Sequence, residues 1–203
     1  MEREVTEDEV IGAWLTNELP KNWSQIRQYL NSNIEDEYVH KLIKNPDYSD
    51  DFENRFRLEL LFSFRSPLLL SIIGAKWFEM YLDESEFRKL KVINEAGWNI
   101  VSDFSGDISE VAKNIDHEKV WEKNPILSHA IKAIHEKEKR LENDKLDGKI
   151  FLVRSQDSVH TTIFEGNKTA IALFRKVYYK QNLQYNPFKV FIGFLKSKSF
   201  WQW

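Results

Sequence analysis

The spacing of apolar residues changes along this chain, and that change does most to limit its fold. Up to Arg140 the apolar side chains recur at helical intervals. From Lys149 onward they gather into short runs rich in β-branched and aromatic residues, bounded by polar turn material. A chain with this pattern predicts an α+β fold. A mainly helical region, 1–147, packs on a small C-terminal sheet unit, 148–203, and the two together make one compact domain.

Local signals place the helices. Thr6 stands three residues before Glu9, the capping-box spacing, and opens a stripe of Val10, Ile11, Trp14 and Leu15 that Pro20 is expected to end. Trp23, Ile26, Tyr29 and Leu30 repeat the spacing until the break at Asn31, Ser32 and Asn33. Ile34, Tyr38, Val39, Leu42 and Ile43 form a further stripe, stopped by Asn45-Pro46. Ser49 or Asp50 caps the next helix, which carries Phe52, Phe56, Leu60 and Phe64. Ser66-Pro67 restarts it with proline at the first position, where a missing N–H costs nothing.

Trp77–Leu82 fits either a short strand or a helix end, because so short a run has no decisive period. Asp83–Glu86 begins a short helix, Ile108–Ile115 shows one helical face, and Pro125–Arg140 is a helix with a charged end. After Asp147-Gly148, Lys149–Val153 and His160–Phe164 read as a β-hairpin. A helix over 170–179 and a strand over Phe188–Leu195 follow.

Composition removes whole classes of chemistry. With no cysteine among 203 residues, disulfide scaffolds, thiolate zinc sites, iron–sulfur clusters and thiol catalysis are excluded. The acidic N-terminal decapeptide has no apolar core of a secretory signal, and no apolar run approaches the ~20 residues of a membrane span. These features predict a cytoplasmic protein with no membrane partner.

The formal charge of −3 is unevenly placed. Gly166–Trp203 contains seven Lys and Arg and no acid, so the first 165 residues carry −3 − 7 = −10. Ten aromatic residues are interleaved with those cations, a pattern that suits phosphate plus base. The same pattern also fits a basic segment that neutralises the acidic part of its own chain around an aromatic core. An apolar terminus such as Phe200–Trp203 is expected to dock on the domain or on a partner.

The segment 163–174 carries the sharpest site hypothesis. A strand ends near Phe164 and a helix starts within a few residues, separated by Glu165, Gly166, Asn167, Lys168 and Thr169. Glycine there admits close ligand approach, and the first N–H groups of the helix point at any anion. Gly166, Asn167, Lys168 and Thr169, with Arg154 on the hairpin, are the candidate phosphate-binding or nucleotide-binding residues. Glu165 is the candidate base or metal ligand. An ordinary helix cap at Asn167 or Thr169 explains the same residues. The histidines (His40, His117, His129, His135 and His160) form no metal-binding spacing, and no metal site is assigned from them.

This strand–turn–helix, with the hairpin before it and the strand after it, resembles the ParB/sulfiredoxin-like superfamily, whose members carry an acid-Gly-x-His-Arg signature at this position. Residues 148–203 carry the likeness, and the helical stretch 50–147 is loosely similar to a region found in bacterial and phage members. Glu165, Gly166 and Asn167 match the signature, whereas Lys168 stands in place of His and Thr169 in place of Arg. The resemblance implies nucleotide phosphate held at the helix start, with nucleotidase, phosphotransfer or nuclease activity and a nucleotide with Mg as cofactor. The two departures remove an acid/base and a bidentate phosphate clamp. The alternative expectation is a catalytically inactive binding or regulatory module that docks a protein or nucleic acid through its basic, aromatic C-terminal segment.

Overall fold

A computed structural model describes residues 2–30, 34–94, 97–117, 125–141, 149–199 and 201–203. The expected helix break at Asn31–Asn33, the change of character at Asp147-Gly148 and the ring of Phe200 lie outside the described residues. The fold is α+β, with helices and a mixed six-stranded sheet in the order β1-β2-β6-β4-β5-β3. Two compact units emerge: Glu4–Trp77, and Phe78–Trp203 with Met1–Arg3.

The unit Glu4–Trp77 is built on α1 (Glu7–Tyr29), α2 (Asp36–Lys44) and α3 (Asp51–Leu70). The capping box forms as expected, with Thr6 Oγ1 accepting from Glu9 N and Glu9 Oε2 accepting from Thr6 N. Asp50 Oδ1 caps α3 by accepting from Phe52 N and Glu53 N.

Pro20 kinks its helix instead of ending it, and Pro67 follows a break close to the expected restart. Pro20 and Pro67 lie inside α1 and α3, and the disturbance falls at Asn22 (φ −121°, ψ 19°) and Arg65 (φ −128°, ψ 19°). Crowding of the preceding turn by Pro67 fits the break at Arg65, whereas the kink at Asn22 falls after Pro20; each helix runs on with apolar residues buried on both sides. In α1, Trp14, Leu15 and Ile26 are all fully buried. Arg57 is buried. Its guanidinium donates to Glu53 Oε2 (3.2 Å), Leu42 O (3.2 Å) and Asp47 O (2.9 Å).

The larger unit holds the sheet's centre. The strands are β1 (Arg3–Val5), β2 (Lys76–Leu82), β3 (Lys91–Val92), β4 (Phe151–Ser155), β5 (Thr161–Glu165) and β6 (Phe188–Leu195). The run at 77–82 is thus a strand. β4 and β5 form the expected antiparallel hairpin, with Arg154 opposite Thr161 and Phe151 opposite Glu165. β6 lies parallel to β4 on its other side, and β3 lies parallel to β5. Phe151, Leu152, Val153, Ile163 and Phe164 are all buried, the continuous apolar run of strands covered on both faces.

Helices of this unit are α4 (Glu84–Phe87), α5 (Trp98–Val101), α6 (Ile108–Asn114), α7 (Pro125–Arg140) and α8 (Asn167–Phe174), the last continuing into a π-helical turn, Arg175–Tyr179. α8 packs against α6 and α7, and Ala170, Ile171, Ala172, Leu173 and Phe174 are all buried. A helix apolar all round in this way belongs in an interior.

The basic, aromatic C-terminal segment is largely spent on the fold. Phe174, Phe188, Phe191 and Trp201 are buried. Phe87 gathers Phe174, Tyr185 and Phe188 within 5.6 Å, 5.6 Å and 5.5 Å between ring centroids. Its cations meet acids of the same unit, Arg175 at Glu138 and Asp116, Lys180 at Glu138, and Lys189 at Glu79. Trp201 packs on Phe164 at 5.1 Å, and Trp203 Nε1 donates to Val92 O at 2.6 Å. A Cβ at Gly106 would run into the Trp203 indole, so this glycine is required for the tail to dock. Among the described residues, no helix is long and apolar enough to cross a membrane.

Candidate functional site

The turn singled out by sequence forms as a strand-to-helix junction. Gly166 caps α8 in the left-handed region, φ 90° and ψ 15°. A Cβ there would sit 3.0 Å from Lys149 O and 3.2 Å from Ile150 Cα. Glycine is therefore demanded by the backbone conformation and by the close approach of the chain leading into β4.

Asn167 is buried and engaged at both ends of its amide. Oδ1 accepts from Ile93 N at 3.2 Å, and Nδ2 donates to Ile163 O at 3.3 Å. It ties the chain beyond β3 to β5, a structural use of a buried polar residue. Thr169 is also buried, whereas Glu165 and Lys168 are half-buried. The 165–169 turn thus brings its five residues together, but two of the side chains face the interior.

Arg154 belongs elsewhere. It pairs with Thr161 at the opposite end of β5 from Glu165, four residues away, or roughly 13 Å along the strand. Its Nε donates to Thr161 Oγ1 at 2.8 Å, and its Nη2 to Glu86 Oε2 at 2.8 Å. Arg154 and the 165–169 turn therefore do not form one site.

What gathers around Arg154 is an open cleft of about 700 Å³, lined by Glu86, Arg88, Lys89, Lys91, Asp107, Arg154, Ser158, Val159, His160 and Thr161. These residues come from α4 and the segment after it, β3, the start of α6, and the hairpin tip between β4 and β5. All belong to the unit that carries the sheet centre. Four permanent cations, Arg88, Lys89, Lys91 and Arg154, face two carboxylates, Glu86 and Asp107. Glu84, outside the lining, also pairs with Arg88, so the surplus among these groups is one positive charge.

Each cation is held differently. Lys91 is nearly buried, its Nζ fixed by Asp107 Oδ1 at 2.8 Å and Ser105 O at 2.8 Å, so it forms a rigid floor. Arg88 pairs with Glu84 at 2.8 Å, and its guanidinium lies 4.3 Å over the Tyr178 ring. The hydrogen bond to Glu84 raises its already high pKa, so its charge is constant. The Arg154–Glu86 pair is exposed on both sides, 38% and 43%. Such a pair contributes about 0–1 kcal/mol, so an anion carrying more charge can displace Glu86. Ser158 Oγ accepts from His160 N at 3.1 Å and donates to the main-chain oxygen of Trp203 at 3.2 Å, which fixes the hairpin tip beside the docked tail.

Arg88, Lys89, Lys91 and Asp107 were not singled out by the sequence reading. Their signal was present as three cations within four residues, Arg88-Lys89-Leu90-Lys91, directly after a short helix. Leu90 between them is core. Among the described residues, no group of three or more His, Asp or Glu side chains is arranged to hold a metal ion. Compared with protein-family models, with curated proteins and with solved structures, the chain matches none of them.

Proposed function

We propose that this chain binds a phosphate-bearing ligand of nucleotide class in the Arg154 cleft. One observation carries the reading: Arg154 and the cations of the Arg88–Lys91 stretch converge on an open space of about 700 Å³, where the Arg154–Glu86 pair is exposed on both sides. That volume lies in the range of small-molecule sites, about 300–1,000 Å³, and is ample for a nucleotide. Arg154 presents a planar guanidinium suited to two oxygens of one phosphate, and Lys89 and Lys91 add point charges. His160 lines the same space, and phosphoryl hydrolysis would draw on its imidazole.

The resemblance to the ParB/sulfiredoxin-like superfamily supports the class of ligand. The place it implies, the helix start at Gly166, differs from the place favoured here. A cytoplasmic location, where nucleotides are abundant, belongs to the same proposal. The alternative, docking of a protein or nucleic acid through the C-terminal segment, has less to stand on, since Phe174, Phe188, Phe191 and Trp201 are interior.

Calorimetric titration with ATP, AMP and pyrophosphate at low salt tests the reading. Wild type is expected to bind at least one of them, and Arg154→Met to weaken binding about tenfold or more, the effect of losing charged hydrogen bonds of about 1.5–3 kcal/mol. Release of inorganic phosphate, measured on the same samples, tests for turnover. No binding by wild type at millimolar concentration, or equal binding by Arg154→Met, overturns the assignment.

A further inference from the structure

Arg88 differs from the other cations of the Arg154 cleft in what it presents to the open space. Its Nε and Nη2 both donate to Glu84 Oε1, at 3.3 Å and 2.8 Å, one helical turn back. Glu84 lies outside the lining of the cleft, so this edge of the guanidinium is engaged away from a ligand there. The central carbon of the guanidinium lies 4.3 Å over the centroid of the Tyr178 ring. An edge on a carboxylate and a face on a ring fix a planar group both in position and in tilt. With one face on Tyr178 and 58% of the side chain exposed, Arg88 meets the cleft with its other face.

The support beneath that plane is built from the core. Tyr178 belongs to the π-helical turn and packs against Phe174 at 4.6 Å and Phe87 at 6.3 Å between ring centroids. Phe87, the residue before Arg88, is fully buried, with Phe174, Tyr185 and Phe188 around it. A long exposed side chain ordinarily loses rotamer freedom when a ligand arrives, which weakens binding. Here the ordering is already complete in the free protein. The rest of the lining leaves room for more than phosphate. Arg154, with its exchangeable partner Glu86, suits phosphate oxygens, while exposed Val159 and the flat ring of His160 line the same space. A pyrophosphate alone leaves most of the roughly 700 Å³ unfilled.

We propose that Arg88, seated on Tyr178, is the stacking platform for the base of the ligand, an inference that rests on the reading of this cleft as a nucleotide site. The phosphates lie at the Arg154 end, and the ring system of the base lies flat on the open guanidinium face. Unpaired bases stack on arginine planes as they do on aromatic side chains. Every base has a π face, so the platform favours nucleoside phosphates over bare phosphates without choosing strongly among bases. The role of Arg88 is thus one of shape, and the charge that holds phosphate comes from elsewhere in the cleft.

Calorimetric titration at low salt with two probes, ADP and pyrophosphate, separates the base from the phosphates. Wild type is expected to bind ADP about tenfold more tightly than pyrophosphate, the size of one base stack. Arg88→Lys keeps the charge and loses the plane, and should bring the ratio of the two affinities close to one. Tyr178→Leu removes the ring beneath, and should lower the same ratio about threefold. Arg154→Met should weaken both probes together and leave the ratio as it is. Equal affinity for the two probes in wild type, or a tenfold ratio kept in Arg88→Lys, overturns the platform, while pyrophosphate binding in the same titrations upholds the cleft. Binding of neither probe by wild type overturns the cleft, and the platform with it.

Discussion

The two ends of β5 carry polar residues of the same general kind and use them in opposite ways. At the Glu165 end, Asn167 is closed between Ile93 N and Ile163 O, and Gly166 is pressed against Lys149 O. At the Thr161 end, Arg154 is held by an exposed partner, Glu86, that an incoming anion can replace. A donor bonded to buried backbone has no exchange available to it, because its loss leaves an unsatisfied group in a dry interior. A donor bonded to an exposed carboxylate exchanges at little cost. What separates architecture from a binding surface here is the identity of the current partner, not the type of side chain.

The contrast can be broken first at its rigid end. Gly166→Val places a β-branched residue at positive φ against main chain, and should destabilise the protein by about 3 kcal/mol in a denaturant titration. Retention of wild-type stability would mean that the junction is looser than its packing implies. Asn167→Ala comes next. It leaves Ile93 N and Ile163 O without the amide, for a loss of about 2 kcal/mol, and should leave pyrophosphate affinity in the folded protein unchanged. A selective loss of affinity in this variant would move the ligand back to the helix start. The smallest effect belongs to the open end. Glu86→Gln should change stability by under about 0.5 kcal/mol while raising pyrophosphate affinity about threefold, since it removes the competing carboxylate from Arg154. Weaker binding in Glu86→Gln would show that Glu86 positions Arg154 rather than competes for it.

Much of the architecture was legible because its signals are local. The Thr6–Glu9 box, the Asp50 cap and the strand at Phe188–Leu195 each depend on neighbours a few residues away. Pro67 marked a restart close to the break at Arg65, whereas Pro20 misled because a helix boundary is decided by burial on both sides of it, as Trp14 and Ile26 illustrate. β3, only Lys91–Val92, is too short for any period to reveal.

The site was half legible. Arg154 and His160 were noticed, but the cations that join them come from a segment more than sixty residues earlier, and only the parallel pairing of β3 with β5 brings it alongside. The same non-locality hid the fate of the C-terminal charges. Arg175 reads as a surface cation until Glu138 and Asp116, 37 and 59 residues before it, close around it.

The position of β6 also has a consequence for how the protein is made. It is the last of the six strands to leave the ribosome, and it lies between β2 and β4 in the finished sheet. Until Leu195 has emerged, those two neighbours each present bare hydrogen-bonding groups along one side, a template for wrong pairing with other nascent chains. Synthesis of the final strand therefore seals the sheet, and a ribosome stalled short of it would release a chain with two sticky seams.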